Sequence, residues 1–287
     1  MLTVLSEVDF DRYLDRMYEL ALIPECTGYP VWYDGFKTKA DFVARERKAF
    51  ERENEEILLF TLEGEFCGWI HYYELAQDRY LDKVSMGASR GMEQLLAEFL
   101  ALAEARFPAD SIWLGFPSEN RTALDYLAAR GFEVGEQTWN MILRELPHAA
   151  LQPPAGTLVR IGRENYDLFR TLHAKNGAEM YWNADRIEKK LDDWTLFALL
   201  RDGVPAAAAC CSRDDYAEIF SLDFAGDYDP EAAAELLRAC AAAAKEDGSA
   251  VLGYFCEDQE KQAVEGAGFS CVGRYVMMKR EARADFA

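Results

Sequence analysis

The eleven residues Cys26-Thr27-Gly28-Tyr29-Pro30-Val31-Trp32-Tyr33-Asp34-Gly35-Phe36 hold four aromatics, one acid and two glycines. Tyr29, Trp32 and Tyr33 offer ring faces and Asp34 offers a carboxylate. That combination attracts a cation through cation–π contact and charge. Long aromatic loops beside a rigid scaffold usually carry ligand specificity, so these four are the expected ligand-binding residues. A lid whose aromatics merely cover a sheet would use the same residues. Groups able to move protons are scattered: Glu74 ends one candidate strand, Asp82 sits on the next, and Glu218 lies in Tyr216-Ala217-Glu218-Ile219. Acids at strand edges are usually just solvated. His71, within Trp69-Ile70-His71-Tyr72-Tyr73, reads as a satisfied, half-buried histidine. Tyr126 sits in an amphipathic stretch and by itself reads as a core or rim aromatic. The seven cysteines include no CxxC, and His71, His148 and His173 are far apart. No metal site is expected, and reduced buried thiols are the default.

The elements that must position these groups occur twice. Leu59-Phe60-Thr61-Leu62 matches Leu196-Phe197-Ala198-Leu199, Leu114-Gly115-Phe116 matches Leu252-Gly253-Tyr254, and Gly131-Phe132 matches Gly268-Phe269. The offsets are 137, 138 and 137, close to half of the 287 residues. A near-constant offset of this size means one domain present twice. Pro147–Gly156 reads as the linker, giving domains over 1–147 and 156–287. In the first copy the spacing predicts helices over 9–23 and 38–53 and a hairpin around Glu63-Gly64-Glu65. Met92, Leu95, Leu96, Phe99, Leu100 and Ala103 then fall on one helix face. A short strand over 110–116 and a helix over 120–130, stopped by Gly131, complete the pattern before closing strands over 132–145. The second copy repeats this order and ends on a strand over 270–279. The fold class is therefore α+β with a mixed, mostly antiparallel sheet flanked by helices, twice over.

Charge narrows the partners. Lys and Arg total 31 against 51 Asp and Glu, a formal net charge of −20. Nucleic acid and anionic lipid both require basic patches, so neither is expected. The first twenty residues lack a basic leader, and the longest apolar run, Val204–Cys211, is far short of the roughly 18 residues a span needs. A cytoplasmic protein with a small-molecule partner is the expectation, and a homodimer is compatible with it.

The element order, together with Asn120-x-x-Ala123-x-x-Tyr126-x-x-x-x-Gly131-Phe132, resembles the GNAT superfamily of N-acetyltransferases. The resemblance covers nearly the whole chain as a tandem pair. It implies acetyl-CoA as cofactor, with two splayed strands exposing backbone groups to the pantetheine arm. It also implies a helix N-terminus whose amides and dipole meet the pyrophosphate. On this chain the cofactor-binding set becomes Met86, Ser89, Arg90, Gly91, Asn120 and Ala123. Tyr126 resembles the family's general acid, donating a proton to the leaving thiolate. Glu74 and Asp82 are candidate bases, and Tyr29, Trp32, Tyr33 and Asp34 become the acceptor site.

The chain also departs from the family. At the usual phosphate-loop places the first copy has Gly87, Arg90 and Met92, and the second has Asp229, Ala232 and Ala234. Asp229 and Glu231 are unfavourable beside a pyrophosphate, and the second copy has Ala263 or Val264 at the tyrosine's place. These departures predict a working first copy and a degenerate second one. The expected reaction is acetyl transfer from acetyl-CoA to a primary amine of a small, cationic acceptor. The alternative is a catalytically silent module that binds a ligand or a protein.

Overall fold

The computed structural model describes residues 1–147, 158–177 and 180–282. The predicted linker lies mostly outside them, as does His148. Contacts divide the chain into two compact units. The first is Met1–Gln137 with the segment from Gly273 onward, and the second is Thr138–Val272.

Elements run in chain order. They are β1 (Leu2–Val4), α1 (Phe10–Ala21), α2 (Lys39–Arg47), β2 (Glu55–Leu62), β3 (Glu65–Leu75), β4 (Tyr80–Ala88), α3 (Met92–Arg106), β5 (Ser111–Pro117), α4 (Arg121–Ala128) and β6 (Glu133–Leu143). The second half repeats them as β7 (Leu158–Ile161), α5 (Asp167–Asn176), α6 (Ala184–Lys189), β8 (Trp194–Arg201), β9 (Val204–Ser212), β10 (Tyr216–Phe224), α7 (Pro230–Glu246), β11 (Val251–Cys256), α8 (Lys261–Gly266) and β12 (Ser270–Arg280).

In the first unit β1 to β5 pair in sequence order, and β12 closes the sheet antiparallel to β5, with Tyr275 opposite Pro117 and Arg280 opposite Ile112. In the second unit β7 to β11 pair in order, and Trp139–Leu143 of β6 lies antiparallel to β11. The sequence assigns each closing strand to its own copy; each instead completes the sheet of the other. Both strands carry the same pattern, so local periodicity cannot tell the two sheets apart.

Period-two alternation builds two cores per unit. On β2, Leu58 and Phe60 pack beneath α3 and α4, while Ile57 and Leu59 pack beneath α1 and α2. On β8, Phe197 and Leu199 face α7, and Leu196 and Ala198 face α5 and α6. Helix starts follow local side-chain chemistry. Thr38 and Asp41 form a capping box on α2, and Asn183 caps α6.

Two features position the sites. The parallel pairs are short: β4 meets β5 only over Tyr80–Asp82, and β10 meets β11 only over Tyr216–Ile219. Both β4 and β10 also slip register against the preceding strand, near Val84 and near Phe220. Among the described residues, no helix is long and apolar enough to cross a membrane.

Candidate functional site

Beyond Asp82, strands β4 and β5 of the first unit diverge, and residues 26–29 of the same unit stand in the gap. Gly28 N donates to Met86 O at 3.0 Å, Ala88 N donates to Cys26 O at 2.9 Å, and Tyr29 N donates to Gly115 O at 3.0 Å. Thr27 pairs with Gly87 as an antiparallel bridge, and its hydroxyl donates to Met86 O at 3.0 Å. Asn120 Nδ2 donates to Thr27 O at 2.8 Å, while its Oδ1 accepts from Ala123 N at 3.2 Å and so caps α4. Lys83 Nζ donates to Tyr29 O at 2.6 Å. Burial, only partly offset by Asp82, lowers the Lys83 pKa to about 8. A Cβ on Gly28 would lie 2.6 Å from Lys83 Cε and 2.8 Å from Met86 Cγ, so only glycine lets the segment seat this closely. The backbone groups the resemblance assigns to a pantetheine arm therefore already hold the chain's own backbone.

Asn120 is fully buried and has two duties, so its loss should be felt throughout the unit. Asn120→Ala removes the α4 cap and strands the Thr27 carbonyl. The expected cost is about 2 kcal/mol, read as a lower melting temperature.

The other expected cofactor residues are largely engaged. Met86 and Ala123 are fully buried. Ser89 donates to Cys67 O from both its amide, at 2.8 Å, and its hydroxyl, at 3.1 Å. Arg90 pairs with Glu65 at 3.1 Å, and its Nε reaches Cys67 Sγ at 3.1 Å. Gly91, at φ 71°, starts α3 without a side-chain cap.

Tyr126 sits on α4 among the core residues of the first unit. The residue sharing a helix face with Asn120, seven positions on, is Leu127, and Tyr126 is turned about 100° from it. The Arg130 guanidinium lies 3.4 Å from the Tyr126 ring centroid, and the hydroxyl is buried without a partner. Burial and Glu93 raise its pKa against the opposing effect of Arg130.

The candidate bases and acceptor residues also resolve. Asp82 accepts from the Tyr80 hydroxyl at 2.9 Å and from the Tyr73 hydroxyl at 3.4 Å, and burial raises its pKa to about 6. Glu74 is the next-to-last residue of β3; burial, then Asp110, raise its pKa. Trp32 is a core residue stacked edge-on against Phe42, with centroids 5.1 Å apart. Asp34 is only 1% exposed, accepts from the amides of Phe36 and Lys37 at 2.8 Å, and pairs with the Lys37 ammonium. Tyr29 packs edge-on against Tyr275. Tyr33 stays partly exposed, its phenol pKa raised by burial and then by Glu119 and Glu25. The loop is thus a cover anchored into the core. The charge of Asp34 is balanced by Lys37.

The second unit differs at the corresponding place. A cavity of about 760 Å³ opens between α7 and α8, walled by Tyr228, Glu231, Arg238, Gln259, Gln262 and Ala263 among others. By the offset of 137, Ala263 stands where Tyr126 does, and Ala267 where Arg130 does. In the first unit those places hold the Tyr126 ring with the Arg130 guanidinium over it; in the second they hold two methyl groups that line the cavity. Asp229 caps α7, its Oδ1 accepting from Glu231 N at 3.0 Å and Ala232 N at 3.2 Å. Those backbone bonds lower its pKa, helped by Arg201, which pairs with it at 2.5 Å. In the local sequence Asp229 is a bare negative charge; the arginine that neutralises it lies 28 residues earlier.

No family sequence model and no curated protein matches the chain. Solved structures do. A GCN5-related N-acetyltransferase from Sphaerobacter thermophilus aligns over 99% of this chain and 96% of its own, at 14% identity and a TM-score of 0.64. A tandem GNAT protein from the clavulanic acid biosynthesis pathway aligns over 99% and 98%, at 15% identity and 0.56. An acetyltransferase-like protein from Pyrococcus horikoshii aligns over 100% and 91%, at 11% identity and 0.53. The chain has the tandem fold of the GCN5-related N-acetyltransferases.

Proposed function

We propose that the chain transfers an acetyl group from acetyl-CoA to a primary amine of a small, cationic acceptor, and that the C-terminal unit holds the thioester. The observation that carries this is the open α7–α8 cavity, together with the short β10–β11 pairing of the same unit, set against the self-occupied gap of the first unit. It moves the working copy from the first half, where the sequence puts it, to the second. The cavity's size and mixed walls suit an extended amide-bearing arm. Gln259 and Gln262 supply side-chain amides, and Arg238 supplies a cation for phosphates. The cofactor would bring an activated acyl group. Glu218, on β10 just before the strand leaves β11, is the carboxylate placed to take the proton from an ammonium acceptor. With Ala263 at the tyrosine's place, the chain leaves reprotonation of the thiolate to water.

Calorimetry tests the reading. One acetyl-CoA per chain is expected, bound with about tenfold loss in Arg238→Glu and no loss in Arg90→Glu. The second reading, a silent ligand-binding module, has its own support: Asp229 occupies the first-turn amides of α7, and Glu231 and Glu235 line the same wall. No binding at about 1 mM acetyl-CoA, the upper end of ordinary KM values, would decide for the silent module.

A further inference from the structure

His173 takes no part in the chemistry above, yet it is only 1% exposed in the C-terminal unit. It stands in the last turn of α5, and its two ring nitrogens face two different parts of the chain. Nδ1 lies 2.8 Å from Asp223 Oδ2, on β10, and Nε2 lies 2.8 Å from the carbonyl oxygen of Trp182, in the turn before α6. A carboxylate and a carbonyl only accept, so both nitrogens must donate and the ring is an imidazolium. The ring is held on its other sides too. Ser221 Oγ, 3.4 Å from Nδ1, donates to the same Asp223 oxygen at 2.9 Å, and the Phe169 ring stacks on the imidazole with centroids 4.8 Å apart. A Cβ on Gly177 would lie 2.6 Å from His173 Cε1, so glycine lets the chain close over the ring. The neighbouring groups are accounted for. On β9, Cys210 stays a neutral thiol, pushed up by burial and then by Cys211 and Asp223. β8 presents Leu196 and Ala198. On α5 itself, Arg170 pairs with Asp185 and Glu188 of α6, and Lys175 donates to Ala225 O at 3.3 Å.

We infer that His173 is a protonation latch on the turn that carries Trp182. Charged, the ring ties that turn to β10; neutral, it lets the turn go. The carboxylate is the stronger acceptor, so on deprotonation the remaining proton stays on Nδ1. The Nε2 lone pair is then left 2.8 Å from a carbonyl oxygen, two acceptors in contact, and the turn moves away. Neighbouring bonds confine the release. The Tyr166 hydroxyl donates to Ala184 O at 2.6 Å and holds the start of α6. Arg186 donates to Tyr181 O at 3.2 Å, but it belongs to α6 and does not tie the turn to the sheet. The piece that moves is a wall. Trp182 packs edge-on against Trp194, with centroids 5.1 Å apart, and the Lys190 ammonium lies 5.4 Å from its ring. Both indoles line a cavity of about 330 Å³, so the latch decides whether that cavity keeps its Trp182 wall. Burial alone would lower the His173 pKa, but Asp223 and then the Trp182 carbonyl outweigh it, and the pKa rises above 6.5. The latch is therefore closed below that ordinary value and opens as pH rises through the raised one. None of this depends on the acyl transfer proposed above.

Far-ultraviolet circular dichroism of the full chain reads the latch through the exciton couplet of the Trp182–Trp194 pair, which Trp182→Phe removes and so assigns. In the wild type the couplet should be full below pH 6.5 and fade reversibly at alkaline pH, following the loss of a single proton. His173→Gln places an amide N–H where Nε2 stands and does not titrate, so its couplet should persist at every pH. Asp223→Asn removes the charge that holds the proton, so the transition should fall by at least about one pH unit. That second variant keeps the latch open to refutation where His173→Gln misfolds. An absent or flat wild-type couplet, a transition that survives in folded His173→Gln, or one unmoved in Asp223→Asn would overturn the assignment.

Discussion

Ala263→Tyr combined with Ala267→Arg should abolish acetyl-CoA binding, weakening it at least about a hundredfold. The variant places in the second unit the stacked pair found in the first. A phenol ring and a guanidinium stacked upon it would occupy the wall where only methyl groups now stand. Both positions lie on α8 or its last turn, where the cavity supplies the room, so the fold should tolerate the change. Circular dichroism would confirm this before calorimetry reads the affinity. The reciprocal variant, Tyr126→Ala with Arg130→Ala, should not create a second binding site. In that unit residues 26–29 still bridge β4 and β5. If the reciprocal variant gained a second acetyl-CoA, side-chain bulk and not the bridging segment would be what closes the first unit.

His71→Leu should destabilise the N-terminal unit by about 3–5 kcal/mol, the cost of leaving buried charges without their partner. His71 is fully buried, with Nδ1 3.1 Å from Glu46 Oε2 and Nε2 3.0 Å from Glu55 Oε2. Carboxylates only accept, so both ring nitrogens must donate and the imidazole is protonated. Ser85 Oγ donates to Glu46 Oε1 at 2.6 Å, Trp69 Nε1 donates to Ser85 Oγ at 3.0 Å, and Arg45 and Arg52 flank Glu55. Burial alone would lower the His71 pKa, but the hydrogen bonds to Glu46 and Glu55 outweigh it, and the pKa rises above 6.5. A folded pKa above the unfolded one stabilises the protein below the unfolded value and loses that stabilisation as pH rises through the folded value. Urea titrations should therefore show the wild-type advantage over His71→Leu to be greatest near pH 6 and to shrink toward alkaline pH. A flat difference would mean the imidazole is neutral. Adding Glu46→Leu should recover part of the loss, because it removes one of the stranded charges.

His71 also shows where reading the sequence stopped. A single histidine between a tryptophan and two tyrosines gave no sign of two carboxylates, 25 and 16 residues away, meeting both its nitrogens. The acid pair falls into place only when α2 lies across the sheet. The aromatic loop makes a related point. Composition rightly found aromatics and an acid together, but not that Lys37 lies close enough to consume the charge of Asp34.

The element order, the internal repeat and the offset of 137 were all present in the chain, because period and turn chemistry act locally. From them followed the tandem α+β fold and the resemblance that the solved structures bear out. Which strand closes which sheet was not there, since β6 and β12 carry interchangeable patterns. Nor was it there that residues 26–29 fill the gap between β4 and β5, because that depends on three elements meeting. The openness of the α7–α8 cavity was written as two alanines, Ala263 and Ala267. Their meaning emerged only beside Tyr126 and Arg130 in the other copy. A cavity is an absence of atoms, and only the packed structure shows whether anything else has filled it.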